Sequence, residues 1–212
     1  MAGVPRKRIL GTDGGVRACR APCAGSAVQA RNWVPSFPLR EELLMPDYCA
    51  PVGTGKTKAQ IFRIAEKYAE KVGFLPGDRI EPLVGRLGGT LEYLAALDSV
   101  GGVDGSLFVE GPNEFRILIS AFTGPERDRF TIAHELGHYV LHSDMGKTRI
   151  VASRFGSDRV EWEANWFAAA FLMPERDFRV ACAKYGNKSA LVAARYLVSA
   201  KAAEVRMTAL GI

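Results

Sequence analysis

His134 and His138 stand four residues apart with Glu135 beside the first, in the stretch His134-Glu135-Leu136-Gly137-His138. On an α-helix, positions four apart lie ~40° apart around the axis and ~6 Å apart along it, so two imidazoles at this spacing can reach one metal ion. Such a pair suits zinc, and a carboxylate between them is placed to take a proton from water that the metal has acidified. The spacing points to metal-assisted hydrolysis, with His134 and His138 as ligands and Glu135 as general base. The competing reading is a buried helix with incidental histidines. It would bury a polar trio with no shared partner, which is costly.

A catalytic zinc takes a third protein ligand and keeps one position for water. Only three histidines exist in the 212 residues. The third, His142, is eight residues beyond His134, ~12 Å along the axis and ~80° around it, too far to share the ion. It reads as a helix-end residue, favourable at the negative terminus when charged. The remaining ligand should be a carboxylate or a cysteine. In the run EWEANWFAAAFLMP at 161–174, Glu161 and Asn165 share a helical face. One suits ligation, and the other suits a hydrogen bond that fixes the tautomer of a ligating histidine. Two alternatives stay open. Glu163 points ~160° away from Glu161 and is a weaker ligand candidate. The spacing Asp158-Arg159-Val160-Glu161 resembles a capping box, by which Glu161 would serve only the backbone at a helix start.

These residues need helices to hold them. A helix is predicted over 126–142, with Thr123 or Gly124 as cap, Pro125 in the first turn, and Glu126 and Asp128 at the positive end. Phe130, Ala133, Gly137, Val140 and Leu141 form its expected apolar stripe, and the small Ala133 and Gly137 allow a neighbour to come close. The small and apolar run after 161 predicts a second helix, stopped by Pro174. From Lys56 the recurrence of Ile61, Ile64, Ala65, Tyr68, Ala69 and Val72 predicts another, ending at Gly73. Three β-rich runs, 90–94, 106–110 and 115–120, predict a small sheet, with Gly111-Pro112-Asn113 as a hairpin turn. An exposed edge of that sheet could pair with an extended peptide. Residues 143–157, polar and basic, read as a loop or lid. Phe178, Val180, Ala181 and Ala183 predict a helix ending near Gly186. Two more helices, capped by Ser189 and Ser199, would follow in a helix-turn-helix-like pair, with Leu191, Val192, Leu197, Val198, Val205, Met207 and Leu210 completing the core.

Composition permits a substantial core, since 48% of the residues are hydrophobic. The net charge of +5 would suggest a nucleic-acid partner, but its position argues otherwise. Residues 1–31 carry six Lys or Arg against one acid, whereas 32–212 carry 22 of each sign. The basic start has no apolar run of secretory-signal length and reads as a disordered tail, and Met45 is an alternative start of translation. Cys19 and Cys23 have no second close pair to complete a metal site. The four dispersed cysteines suit reduced thiols in the cytoplasm. The stretch Ala-Pro-Val-Gly-Thr-Gly-Lys-Thr at 50–57 fits a relaxed phosphate-loop pattern, but the required preceding strand is missing, and a lead-in to the next helix is the preferred reading.

RFTIAHELGHYVLH at 129–142, followed by EWEANWFAAAFLMPE at 161–175, resembles the ImmA/IrrE family of zinc metallopeptidases. The coupling of HExxH to the second block makes the likeness specific. The resemblance covers roughly residues 57–212 and implies His134, His138 and Glu161 as zinc ligands, Glu135 as catalytic base and Asn165 as an orienting partner. It further implies cleavage of a helix-turn-helix transcriptional repressor, releasing mobile-element or stress-response genes.

The sequence thus predicts an α+β, zincin-like fold: a small sheet beside a metal-binding helix pair, with a helical C-terminal region. Its expected organisation is a basic extension over 1–55, a metallopeptidase domain over 56–175 and a helical region over 176–212. The cofactor would be zinc, with manganese also supporting activity in assays. The partner would be a protein substrate, with no membrane and with DNA contact as the lesser expectation. Tyr185 and Arg154 are candidate donors to the oxyanion formed at the scissile carbonyl. The alternative function is a non-catalytic regulator that senses metal or docks a repressor and touches DNA through its last helices.

Overall fold

Residues 48–94, 105–153 and 158–212 are described by the computed structural model. The first helix, α1 (Lys58–Lys71), starts at a complete capping box: Thr57 accepts from the Gln60 amide, and the Gln60 side chain accepts from the Thr57 amide. Ile61, Ala65, Tyr68 and Ala69 are buried as the periodicity predicts, and Phe62 joins them. A short α2 (Glu81–Arg86), which the sequence reading did not delineate, precedes β1 (Gly89–Leu94).

The strands β2 (Gly105–Gly111) and β3 (Glu114–Ser120) form the predicted hairpin around Pro112 and Asn113. The sheet has the order β1-β3-β2-β4, with β1 parallel to β3 and the other pairs antiparallel. Phe115, Ile117 and Ile119 alternate inwards along β3, as a strand with one covered face requires. The helix α3 (Pro125–Leu141) lies against β2 and β3, α4 (Arg159–Leu172) packs on α3, and α1 packs on α4. Between them Phe74, Phe167 and Phe171 stack, with Phe74 and Phe171 ring centres 4.7 Å apart. Burial of each such ring stabilises the fold by roughly 1.5–3 kcal/mol.

The connection after α3 departs from the expected lid. Residues Ile150–Ser153 form the edge strand β4, paired with β2. The turn before it is anchored: the Gly146 amide donates to Ser143 Oγ and the Met145 amide to the Tyr139 carbonyl. Gly146 has φ +87°, and a Cβ there would sit 2.2 Å from the Gly111 carbonyl, so only glycine fits against the hairpin. Four strand residues flanked by charges carry too little periodicity to stand out in sequence. Residues 154–157, including Arg154, lie outside the described residues.

Beyond Pro174 come α5 (Glu175–Tyr185), α6 (Ser189–Tyr196) and α7 (Ala200–Leu210). Gly186 closes α5 in the left-handed conformation, and Ser199 caps α7 by accepting from the Ala202 amide. Ser189 is the first residue of α6 and not its cap. Several apolar positions assigned to the core are exposed: Leu191, Leu197 and Val205 face solvent, as does Val180 on α5, while Cys182 is buried. Short helices covering only one side of a core bury a narrow stripe, so apolar residues exceed the available interior positions.

The expectations for the basic tail, Cys19, Cys23 and Met45 lie outside the described residues. In 50–57 the backbone amides of Thr54, Lys56 and Thr57 are taken by Glu163, Thr54 Oγ1 and Gln60, so they are committed to protein acceptors instead of cradling phosphate. No helix among the described residues is long and apolar enough to cross a membrane.

Candidate metal centre

Helix α3 brings the first two donors together. Its N-cap is Gly124, with Pro125 at the start and Glu126 and Asp128 in the first turn, while Thr123 donates instead to Asp128 and the Ser120 carbonyl. The apolar stripe predicted for α3 is too narrow. Ten consecutive or near-consecutive positions from Arg129 to Tyr139 are buried, because the sheet covers one side and α4 another. Gly137 permits that second approach: a Cβ on it would lie 3.2 Å from both Cα and the carbonyl oxygen of Ala164.

Close packing of α4 delivers the third donor. Asp158 caps the helix by accepting from the Glu161 amide at 3.2 Å, while the Glu161 side chain turns to the histidines. The capping relationship therefore exists for the backbone of Glu161, and its carboxylate is left for other chemistry. His134 Nε2 and His138 Nε2 are 3.0 Å apart, and Glu161 oxygens lie 3.2 Å from the first and 3.3 Å from the second. Among the described residues this buried trio is the group of histidine, cysteine and carboxylate donors gathered tightly enough for a metal, all within 4.8 Å.

The donor set fits zinc in both chemistry and size. Bonds of ~2.0–2.1 Å directed to tetrahedral corners place neighbouring ligand atoms about 3.3–3.4 Å apart, within a few tenths of an ångström of the spacing here. His134 Nδ1 lies 3.0 Å from Asn165 Oδ1. With the ring N–H donating to that oxygen, the lone pair of Nε2 is directed at the other donors. Burial disfavours the charged form of Glu161, yet hydrogen bonds from His134 and His138 outweigh it and hold its carboxyl well below the usual carboxylate range. Glu135 is buried on α3 immediately after His134.

His142 and Glu163 stand outside the donor trio but are not bystanders. His142 is the C-cap of α3, as a helix-end residue should be, but it is buried and not a charged surface group. Its Nδ1 lies 3.0 Å from His138 Nδ1, and its Nε2 lies 3.3 Å from Glu163 Oε2. Burial, together with the His138 ring, lowers the His142 pKa to about 4, against the pull of Glu163, so the imidazole is neutral. Burial works against ionisation of Glu163, but bonds from Arg159 and Thr54 prevail and bring its carboxyl down to about 2. The signal for His142 was present in the sequence: it follows His138 by four residues, the same neighbour spacing that pairs the ligands.

A cleft of about 1210 Å³ opens beside the trio, with His134, Glu161 and Asn165 on its wall. Phe130, Trp162 and Trp166 make it largely apolar, and α7 contributes Ala202, Val205 and Ala209. Tyr185, one of the two candidate oxyanion donors, is not on this wall.

Known proteins resemble this chain. The family model described as the IrrE N-terminal-like domain, Peptidase_M78, matches residues 99–208. The radiation response metalloprotease IrrE of Deinococcus radiodurans is 32% identical over 146 residues, covering 66% of this chain and 40% of the relative. The protein of the same name from Deinococcus deserti is 32% identical over 129 residues, covering 58% of this chain and 42% of the relative. The chain thus spans about two fifths of the length of these curated relatives. Among solved structures, a Mycobacterium tuberculosis transcriptional regulator superposes with a TM-score of 0.51 at 19% identity, covering 71% of this chain and 46% of that one, a likeness of fold. Sequence match, α+β zincin-like architecture and the HExxH helix agree: this chain belongs to the IrrE-type, Peptidase_M78 family of metallopeptidases.

Proposed function

We propose that this chain is a zinc-dependent endopeptidase acting in the cytoplasm on a helix-turn-helix transcriptional repressor, with Glu135 as general base. The observation that carries the reading is the buried His134, His138 and Glu161 donor trio, two of whose members, His134 and Glu161, line a largely apolar cleft. Zinc held by these three residues would polarise the scissile carbonyl and acidify a coordinated water. Glu135 accepts the proton of the attacking water and passes it to the leaving nitrogen. Asn165 holds His134 in the ligating tautomer, and the largely apolar cleft wall seats substrate side chains.

Residues 56–175 form the catalytic portion in this reading, and 176–212 complete the cleft through α7. The DNA-contacting alternative finds less support in the side chains. Arg206 is buried and bonded to Glu66, Arg195 is paired with Asp177, and Lys201 lies 3.6 Å from Glu204, so the cations of α6 and α7 each have an acidic partner. The repressor and the setting in stress-response or mobile-element control rest on the family resemblance.

The test incubates purified protein and zinc, or manganese, with the repressor encoded beside its gene. Wild type should cleave it, and Glu135→Gln should retain the metal while losing activity by about 100-fold or more. Undiminished cleavage by Glu135→Gln would refute the assigned mechanism.

A further inference from the structure

The stretch at 50–57 fits no nucleotide site, yet it does not simply lead into α1. It crosses the first turn of α4. A Cβ on Gly53 would lie 3.3 Å from Arg159 Cγ and 3.9 Å from Glu163 Oε1, and Arg159 also donates to the Lys56 carbonyl. The amide and the hydroxyl of Thr54 both donate to Glu163 Oε2, each at 2.8 Å, while Arg159 Nε donates to Glu163 Oε1 at 2.7 Å. Three donors from two segments thus fix a carboxylate whose side chain is fully buried.

That carboxylate faces His142, and His142 faces His138. The proton positions follow from donor counting. For His138 to offer its Nε2 lone pair to a metal, its Nδ1 must carry the proton and donate to His142 Nδ1, which lies 3.0 Å away. His142 then carries its own proton on Nε2, directed at Glu163. Without a carboxylate there, His142 can adopt the opposite tautomer. Two N–H groups would then confront each other, and His138 would shift its proton to the nitrogen that must bind metal.

We propose that Thr54, Glu163 and His142 form a positioning relay that fixes the ligating tautomer of His138, so that the 53–57 segment sets the metal affinity of the centre. The relay rests on the metal-binding part of the function proposed above and is independent of the substrate. It gives the two ligating histidines different supports: Asn165 for His134, and an anchored carboxylate acting through a second imidazole for His138. Glu163, the weaker ligand candidate in the sequence, becomes a positioning residue one step removed from the metal.

The test compares zinc affinity, by chelator competition, for wild type, Glu163→Gln, Thr54→Val and Thr54→Ser, with ring-nitrogen NMR of the histidines in the zinc-loaded and metal-free proteins. Glu163→Gln keeps the shape but presents an amide N–H₂ among donors, and should weaken zinc binding by about 10–100-fold, the usual cost of losing such a partner. Thr54→Val should weaken it by a smaller factor, and Thr54→Ser should restore it. In wild type, His142 should carry its proton on Nε2 and His138 on Nδ1, and in Glu163→Gln the His142 tautomer should become mixed. Affinities within twofold of wild type in both Glu163→Gln and Thr54→Val, with unchanged tautomers, would overturn the relay. Weakened zinc binding together with an absence of repressor cleavage by wild type would support the relay while counting against the peptidase reading.

Discussion

In the proposed centre each residue has a different task, and the tasks separate under substitution. His134 depends on Asn165, whose oxygen lies 3.0 Å from its Nδ1. Asn165→Ala should lower zinc affinity about 10–100-fold while leaving Glu135 in place, which isothermal titration would measure. Adding zinc to saturation should then recover most of the cleavage rate, because the base is intact. The candidate donors were legible from residue types: with three histidines in the chain and His142 too far from His134, the third donor had to be a carboxylate or cysteine, and Asn165 shares the face of Glu161. The spacing of His142 from His138 signalled their contact, but its pairing with Glu163 was not legible. Sequence distance from His134 removed it as a ligand, but only the packing of α4 against the end of α3 brings Glu163 to its other side.

At the scale of elements, the centre exists because α3 and α4 touch closely enough for a carboxylate on one to reach imidazoles on the other. Gly137 is a point of close approach, and a helix accepts the ~1 kcal/mol cost of an internal glycine when a neighbour needs the space. Gly137→Ala should push the helices apart, destabilise the fold by roughly 1–3 kcal/mol in urea unfolding, and weaken metal binding as Glu161 is drawn away. Farther along, α5 is tied to α6 by Asp177, which accepts from Arg195 at 2.8 Å and from the Tyr196 hydroxyl at 2.7 Å. The Arg195 hydrogen bond, against the opposing effect of burial, holds the Asp177 carboxyl below its usual value. A depressed carboxylate stabilises the fold above its unfolded pKa of ~3.9 and loses that contribution as pH falls through its folded value. Asp177→Asn should therefore cost about 1 kcal/mol or less at pH 7, since the pair is part-exposed, and should flatten the stability loss below pH ~4, read from melting temperatures across acid pH. Helix boundaries were largely legible because Pro125, Pro174, Gly186 and Ser199 mark them chemically. The edge strand β4 was not, being four residues long and recognisable only through its pairing with β2.

For the whole molecule, the sheet supports α3, α4 supplies the last donor, and α1 and α7 build the far wall of the cleft. A charge count over the full chain misleads about that body, because the excess of positive charge belongs to residues 1–31. The exposed faces of α5, α6 and α7 misled in the other direction, since an apolar residue such as Val205 reads as core until the fold shows which side is covered. A metal bound at the junction of α3 and α4 joins two of the principal helices and stabilises the native state by mass action, about 4 kcal/mol when free zinc exceeds its dissociation constant a thousandfold. The central claim is that His134, His138 and Glu161 together hold that metal. Its most direct test is the zinc bound at equilibrium, under buffered excess zinc, by wild type and by Glu161→Ala, with circular dichroism establishing that both are folded. Wild type should hold one zinc per chain and folded Glu161→Ala only a small fraction of that, whereas an unchanged stoichiometry and affinity in the variant would contradict the assignment.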